Sequence, residues 1–181
     1  MSKAILISIR PKWCEKIIVG RKTMELRKSV PKLEVPFKCY IYCTMPETRD
    51  PHNILELHGV DGKIRKANGK VIGEFVCNYI LQRCEMANAD IAEQQSCVRR
   101  EDIYFKYSEE GKHYIYGWHI SDLLIYDEPR ELTEFRRACP NSWYCESCAM
   151  YWENNGTCGN ESLHINRPPQ SWCYVEAMKD E

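Results

Sequence analysis

Residues 20–27 read Gly20-Arg21-Lys22-Thr23-Met24-Glu25-Leu26-Arg27, and from Thr23 onward they alternate with period two. In an extended strand Met24 and Leu26 point to one face, while Thr23, Glu25 and Arg27 point to the other. At a rise of about 3.3 Å per residue, Glu25 and Arg27 sit about 7 Å apart along the chain, close enough to pair with each other or across to a neighbouring strand. Gly20 lacks a Cβ and can leave a helix through a positive φ. Lys22 then falls at the turn, where a flexible ammonium can reach a phosphate or a substrate carbonyl. The residues before the glycine agree with this reading. Ala4 to Ile9 is a β-favouring run stopped by Arg10-Pro11, and Pro11 suits the first position of a helix. Trp13, Ile17 and Ile18 make one apolar helical face, with Lys12, Glu15 and Lys16 left wet. The opening is a strand, a short helix and a second strand.

Further on, Pro31 and Pro36 punctuate the chain, and Phe37 to Cys43 reads as a strand. Residues 44–69 carry Pro46, Pro51, Gly59, Gly62 and Gly69 and read as a long loop or insertion. Val71 to Leu81 is the longest β-like run. Tyr114 to Tyr126 is the second, divided by a turn near Ser121-Asp122. Between them, Asn88 to Tyr107 reads as one or two short helices, with Asp90 or Asp102 as caps. Pro129 to Arg137 predicts another short helix, and Ser171 to Ala177 a last strand. There is no internal repeat.

The spacing Gly20-x-Lys22-x-x-Glu25-x-Arg27 matches the Gly-x-Lys-x-x-Glu-x-Arg signature of ASCH domains. It lies directly after a strand and a short helix, as it does in that family. Val71-Ile72-Gly73-Glu74-Phe75 resembles the family's middle strand, and Tyr116-Gly117-Trp118-His119 a later one. The resemblance implies an α+β fold: a PUA-like β-barrel with short flanking helices over residues 1–137. A cysteine-rich metal knuckle (138–165) and a return strand with a C-terminal tail (166–181) would follow. It also implies a cleft beside the motif that holds RNA or a modified nucleotide. The residues placed there are Gly20, Lys22, Glu25 and Arg27, with Arg10, Arg167, Trp118 and Trp172 as further phosphate and stacking contacts. Aromatic residues in strands, Trp118, Tyr40, Tyr42 and Tyr116 among them, are more often core, and an exposed Glu-Arg pair is more often an ordinary surface ion pair.

ASCH-like proteins include RNA-binding coactivators, amidohydrolases acting on acylated cytidine and a ribonuclease. This chain departs from the small amidohydrolases by carrying Glu25 where they carry a nucleophilic Thr, so their mechanism does not transfer. A hydrolase acting on a modified nucleoside or on RNA is the alternative function, with Lys22, Glu25 and Glu74 as its catalytic groups if Glu74 faces the same cleft. A protein-interaction adaptor using the cysteine segment is a second alternative.

The chain has 181 residues, 44% hydrophobic and 28% charged, the composition of a globular protein without a membrane-spanning run. A net charge of −1 gives no general basic footprint, but the distribution is uneven. Residues 1–38 hold ten Lys or Arg against three Glu, and the other 143 hold 15 basic against 23 acidic. This asymmetry predicts a positive face built by the N-terminal third. The N-terminal apolar run is too short for a signal peptide, so a cytoplasmic location is expected, where eleven cysteines favour metal ligation over disulfides. Cys139, Cys145, Cys148 and Cys158 form Cys-x5-Cys-x2-Cys-x9-Cys, a set expected to hold a structural zinc, with an iron-sulfur cluster as second choice. Cys173 or His164 is the alternative for one of these ligands, and Cys14, Cys39, Cys43, Cys77, Cys84 and Cys97 read as small buried hydrophobes.

Overall fold

Strand β1 (Lys3–Ile9) is buried from Ala4 to Ile9 with no polar alternation, the pattern of a strand covered on both faces. The computed structural model, which describes residues 3–46, 53–84, 87–107, 114–139, 146–154 and 158–178, places it inside a five-stranded mixed sheet. It runs parallel to β3 (Phe37–Cys43) and antiparallel to β10 (Trp172–Glu176). Strands β6 (Val71–Cys77) and β9 (Ser121–Arg130) complete the order β10-β1-β3-β6-β9.

The side-chain alternation of these strands divides the core in two. Ile5, Ile7 and Ile9 of β1 join Cys39, Ile41 and Cys43 of β3 on one face. Ala4, Leu6, Tyr40 and Tyr42 face the other way, against Phe135, Ile165 and Val175. Helix α1 (Pro11–Ile18) packs Cys14 and Ile17 onto the first face.

A separate three-stranded sheet has the order β2-β8-β7, from β2 (Met24–Arg27), β8 (Tyr116–His119) and β7 (Ile80–Leu81). Met24 and Leu26 enter a third apolar cluster with Ala92 and Ile103 of α2 (Ala89–Ser96) and α3 (Arg100–Tyr107). Their alternates Glu25 and Arg27 pair in register with Trp118 and Tyr116. The expected alternation of residues 23–27 therefore decides which side chains reach the interior of each sheet.

The expectation of a PUA-like β-barrel is corrected. The larger sheet keeps two distinct edges, β10 and β9, and the β2-β8-β7 sheet pairs with neither, so the strands do not close. The fold is α+β around an open mixed sheet.

The cysteine-rich metal knuckle expected as part of that fold is also corrected. Among the described residues no group of three His, Cys, Asp or Glu is arranged to hold a metal ion. Cys139, Cys148 and Cys158 are half-buried but not gathered with further ligands, and Cys145 lies outside the described residues. The two ends of the segment are joined by backbone pairing: Arg136 bridges His164, Arg137 N–H donates to Leu163 O (2.8 Å), and Ile165 N–H donates to Phe135 O (2.9 Å).

Two local expectations also change. Pro129 to Arg137 is not a helix: β9 runs to Arg130, and only Leu132–Glu134 make a single 3-10 turn, capped by reciprocal bonds between Glu131 and Glu134. Residues 44–69 hold a small hairpin, β4 (Glu56–His58) with β5 (Ile64–Lys66). The division expected near Ser121-Asp122 is present between β8 and β9, where Asp122 has a φ of 47°.

Candidate functional site

The site begins at the end of α1. Gly20 turns at φ 71°, its N–H donating to Ile17 O, while the N–H groups of Arg21 and Lys22 share Lys16 O. This satisfies the last carbonyls of the helix and sends the chain into β2. The C-terminal end of α2 closes over the turn: Thr23 N–H donates to Gln95 O at 2.9 Å.

That closure buries Lys22, whose residue exposure falls to 2%. Its ammonium donates to Met24 O (2.7 Å) and Ser96 O (2.9 Å) and lies 3.2 Å from Glu25 Oε2. An ammonium has three donors, and all three face oxygens here. Two are carbonyls, one of them at the negative end of α2, where a cation is favoured.

Glu25 is clamped on its other side by Arg27. Arg27 Nη2 lies 3.1 Å from Glu25 Oε1 and donates to Ser8 O at 2.6 Å, and Nη1 reaches Ser171 Oγ at 3.4 Å. The Glu25 side chain is 9% exposed, yet Oε2 has no aligned hydrogen bond despite the nearby ammonium, and Arg27 Nε is likewise unpartnered. One buried carboxylate between a buried lysine and a half-buried arginine leaves the cluster with one net positive charge. Such a cluster is costly unless its remaining capacity is used.

Glu25 and Arg27 line a cleft of about 640 Å³, with Arg10 and Trp13 of the α1 end, Val98 after α2, and Gln170 before β10. A volume of this order suits a ligand the size of a nucleotide. A smaller cavity of about 230 Å³ shares Arg10, Thr44 and Met45 with it. Beneath the cleft Cys14 is fully buried, and its thiol is pushed well up by burial first and then by Cys43 and Glu25, which makes it a poor nucleophile.

The residues singled out in the sequence distribute unevenly around this cleft. Glu25, Arg27 and Arg10 line it, and Gly20 shapes the turn behind it. Lys22 is enclosed one layer deeper. Trp118 is fully buried between Phe37 (5.6 Å, perpendicular) and Trp172 (5.8 Å), so it offers no face to a base.

Trp172 is half-buried, donating from Nε1 to Ser29 Oγ at 3.1 Å, and Arg167 is exposed on the loop that leads to Gln170. Glu74 does not face the cleft: it pairs in register with Tyr40 on the opposite face of the large sheet. Lys22 and Glu74 are therefore not brought together. His119 stacks on Tyr79 (4.4 Å), its Nδ1 lies 2.6 Å from Asn78 Oδ1, and burial holds its pKa below the usual value, as suits a structural histidine.

Trp13 is the residue the sequence reading missed. It is half-buried at the cleft wall, with the ammonium groups of Lys12 (4.7 Å), Lys16 (5.1 Å) and Lys22 (5.1 Å) against its ring. A lysine three residues after a tryptophan on a helix was the available signal, since that spacing brings the ammonium to the ring. Val98 and Gln170 had no such signal, because remote segments carry them to the cleft.

No family model matches the chain, and no curated protein does. Among solved structures the chain is similar to the ASCH protein of Zymomonas mobilis, with a TM-score of 0.52 and 16% identity over 96% of this chain and 87% of that one. It is similar to the same extent to that protein's Tyr→Phe variant (97% and 91% covered) and Ser→Ala variant (96% and 88% covered), each with a TM-score of 0.52. With that likeness running over nearly the whole of both chains, and with the motif of residues 20–27 at the cleft wall, the chain has the fold of an ASCH domain.

Proposed function

We propose that the cleft beside residues 20–27 binds a nucleotide, either an unpaired residue of RNA or a modified nucleotide. The observation that carries this reading is the Glu25 carboxylate, nine-tenths buried between Lys22 and Arg27, at the wall of a cleft of about 640 Å³. A carboxylate held in this way accepts an N–H from the edge of a base. The net positive charge of the cluster, with Arg10 at the wall, favours the adjoining phosphate. Trp13 supplies the stacking surface that Trp118 does not.

Lys22 acts on the ligand only through Glu25, which it orients across a 3.2 Å ion pair. Catalysis by Lys22 with Glu74 has no support in the geometry, since one is enclosed and the other faces away.

The test is calorimetric titration of a panel of mononucleotides and modified nucleosides into wild type, Glu25→Gln and Glu74→Gln. Loss of a charged acceptor weakens binding by about 1.5–3 kcal/mol, roughly 10- to 100-fold, in Glu25→Gln, and Glu74→Gln binds as wild type does. No heat with any ligand at low salt removes the reading. Equal loss in both variants removes the assignment to this cleft.

A further inference from the structure

The reading above leaves open whether the natural ligand is a free nucleotide or one residue of a longer strand. We infer that it is a strand: the outer lip of the cleft, formed by Trp13 with Lys12 and Lys16 on α1, is a track for the backbone of single-stranded nucleic acid whose unpaired base enters the cleft. This rests on the nucleotide reading and adds a surface outside the cleft.

Three observations support it. First, Lys12 and Lys16 hold their ammonium groups 4.7 and 5.1 Å from the Trp13 ring, and that ring lines the cleft, so the two cations are fixed at its edge rather than spread over the surface. Second, the acidic residue of α1 is turned away from the Trp13 ring, about 60° beyond Lys12 on the helix. At 100° per residue Glu15 lies about 160° around the helix from Trp13, whereas Lys12 and Lys16 lie within about 100° and 60° of it. Third, the lip continues in basic residues at both ends of the helix, Arg10 before Pro11 and the exposed Arg21 after Gly20.

Trp13 presents aromatic surface and Lys12 and Lys16 present charge. Together they supply stacking and phosphate neutralisation, the two parts of a single-strand binding track. A free nucleotide held by Glu25, Arg27 and Arg10 has no use for cations on the outer side of the helix. The same charge also accounts for where the basic excess of residues 1–38 is placed.

The test compares a mononucleotide with a labelled ten-residue single-stranded RNA, each titrated into wild type and the Lys12→Gln/Lys16→Gln double variant between 50 and 200 mM salt. Lys12 is exposed and Lys16 partly so, and neither belongs to the core, so the fold is retained, and circular dichroism checks it. The expected result is that the oligomer binds wild type more tightly than the mononucleotide does. The double variant should then lower the salt slope for the oligomer by about 1.4, at about 0.7 for each phosphate that is no longer neutralised. Mononucleotide affinity should change less than oligomer affinity.

Equal affinity for the two ligands, or a slope untouched by the double variant, overturns the track and leaves the nucleotide cleft standing. Mononucleotide binding without oligomer binding has the same meaning. Failure of both ligands to bind wild type removes the cleft reading and the track together, and a protein partner for the basic lip then takes their place.

Discussion

Glu25 and Glu74 are both strand carboxylates paired with a lysine, and they lie in opposite settings. Glu74 is 18% exposed and fully served: Lys38 lies 2.9 Å from Oε1, and the Tyr126 hydroxyl donates to Oε2 at 2.6 Å. Burial and the bond to Glu74 push the Tyr126 hydroxyl well above the usual tyrosine range. Glu25 is more deeply buried, has a cation on each side and no neutral donor, and keeps an acceptor without an aligned bond. A satisfied carboxylate network holds a sheet together. A deeper one, charged on both sides and at the wall of a cleft, is the one the proposed function uses. Under the proposed function, this difference separates the glutamate that meets the ligand from the one that holds the sheet, where residue type and strand position alone do not.

The largest expected effect sharpens this difference in stability. Lys22→Ala leaves Glu25 beside Arg27 alone and the carbonyls of Met24 and Ser96 without their donor. A loss of about 3–5 kcal/mol in urea unfolding is expected, the range for breaking a buried pair. Lys38→Ala, on the more exposed pair, is expected to cost about 1 kcal/mol. If the two variants unfold alike, burial does not distinguish the clusters.

Next comes the aromatic counterpart. Trp13→Leu, which keeps apolar bulk against the core and removes the aromatic face, should weaken nucleotide binding by about 1–3 kcal/mol, read by titration, with the denaturation midpoint moved less. Trp118→Phe should do the reverse, lowering the midpoint and sparing affinity, because its ring sits in the core. A third comparison lies at Glu74 itself, where Tyr126→Phe should cost about 1.5–3 kcal/mol of stability at neutral pH and leave ligand affinity unchanged.

Alkaline pH separates the two faces more gently. Cys14, Cys39 and Cys77 are buried on the Glu25 side, and burial raises all three thiols, that of Cys77 to about 12. A raised thiol pKa means that the folded chain keeps its proton after the unfolded chain, near its ordinary pKa of about 8.5, has released it. Stability is therefore full below that pH and declines as pH rises from about 9 toward 12. Tyr126 on the Glu74 face joins this decline only above about 10, where an unfolded tyrosine ionises. Urea midpoints measured at pH 8, 9 and 10 should fall, and Cys77→Ala should flatten the fall.

The smallest effect is acidic. His119 has its pKa lowered by burial, so its contribution is present above about 6.5 and is lost as pH drops further. A shallow decline in midpoint from pH 7 to 5.5, shallower still in His119→Gln, is the expected outcome.

Much of the chain was legible locally. The strands at residues 3–9, 24–27, 37–43 and 71–77 follow from runs and alternation, the first helix from Pro11, and its end from Gly20. Errors arose where one local pattern fits two environments. Pro129 to Arg137 has helical composition, but pairing of Arg130 with Val71 extends the strand, and the Glu131–Glu134 cap stops the turn after one repeat. Trp118 and Trp13 are both tryptophans in amphipathic segments, and only packing makes one core and the other cleft wall. The cysteine spacing suggested a knuckle, yet among the described residues it is the strand-like pairing of Arg136 with His164 that joins the two ends of that segment.

By itself, the sequence determined the order of elements, the turn at Gly20, and the fact that Glu25 and Arg27 share one face while Met24 and Leu26 share the other. These follow from backbone stereochemistry and the two-residue repeat of a strand, which act between near neighbours. Only the tertiary structure decided that the sheet stays open, that Ser96 reaches across to bury Lys22, that Glu74 turns to the far face, and that Trp13 rather than Trp118 meets the cleft. Those outcomes depend on which strand edges pair and which segments, up to 74 residues apart for Lys22 and Ser96, close over one another. Periodicity along a chain carries no record of such contacts.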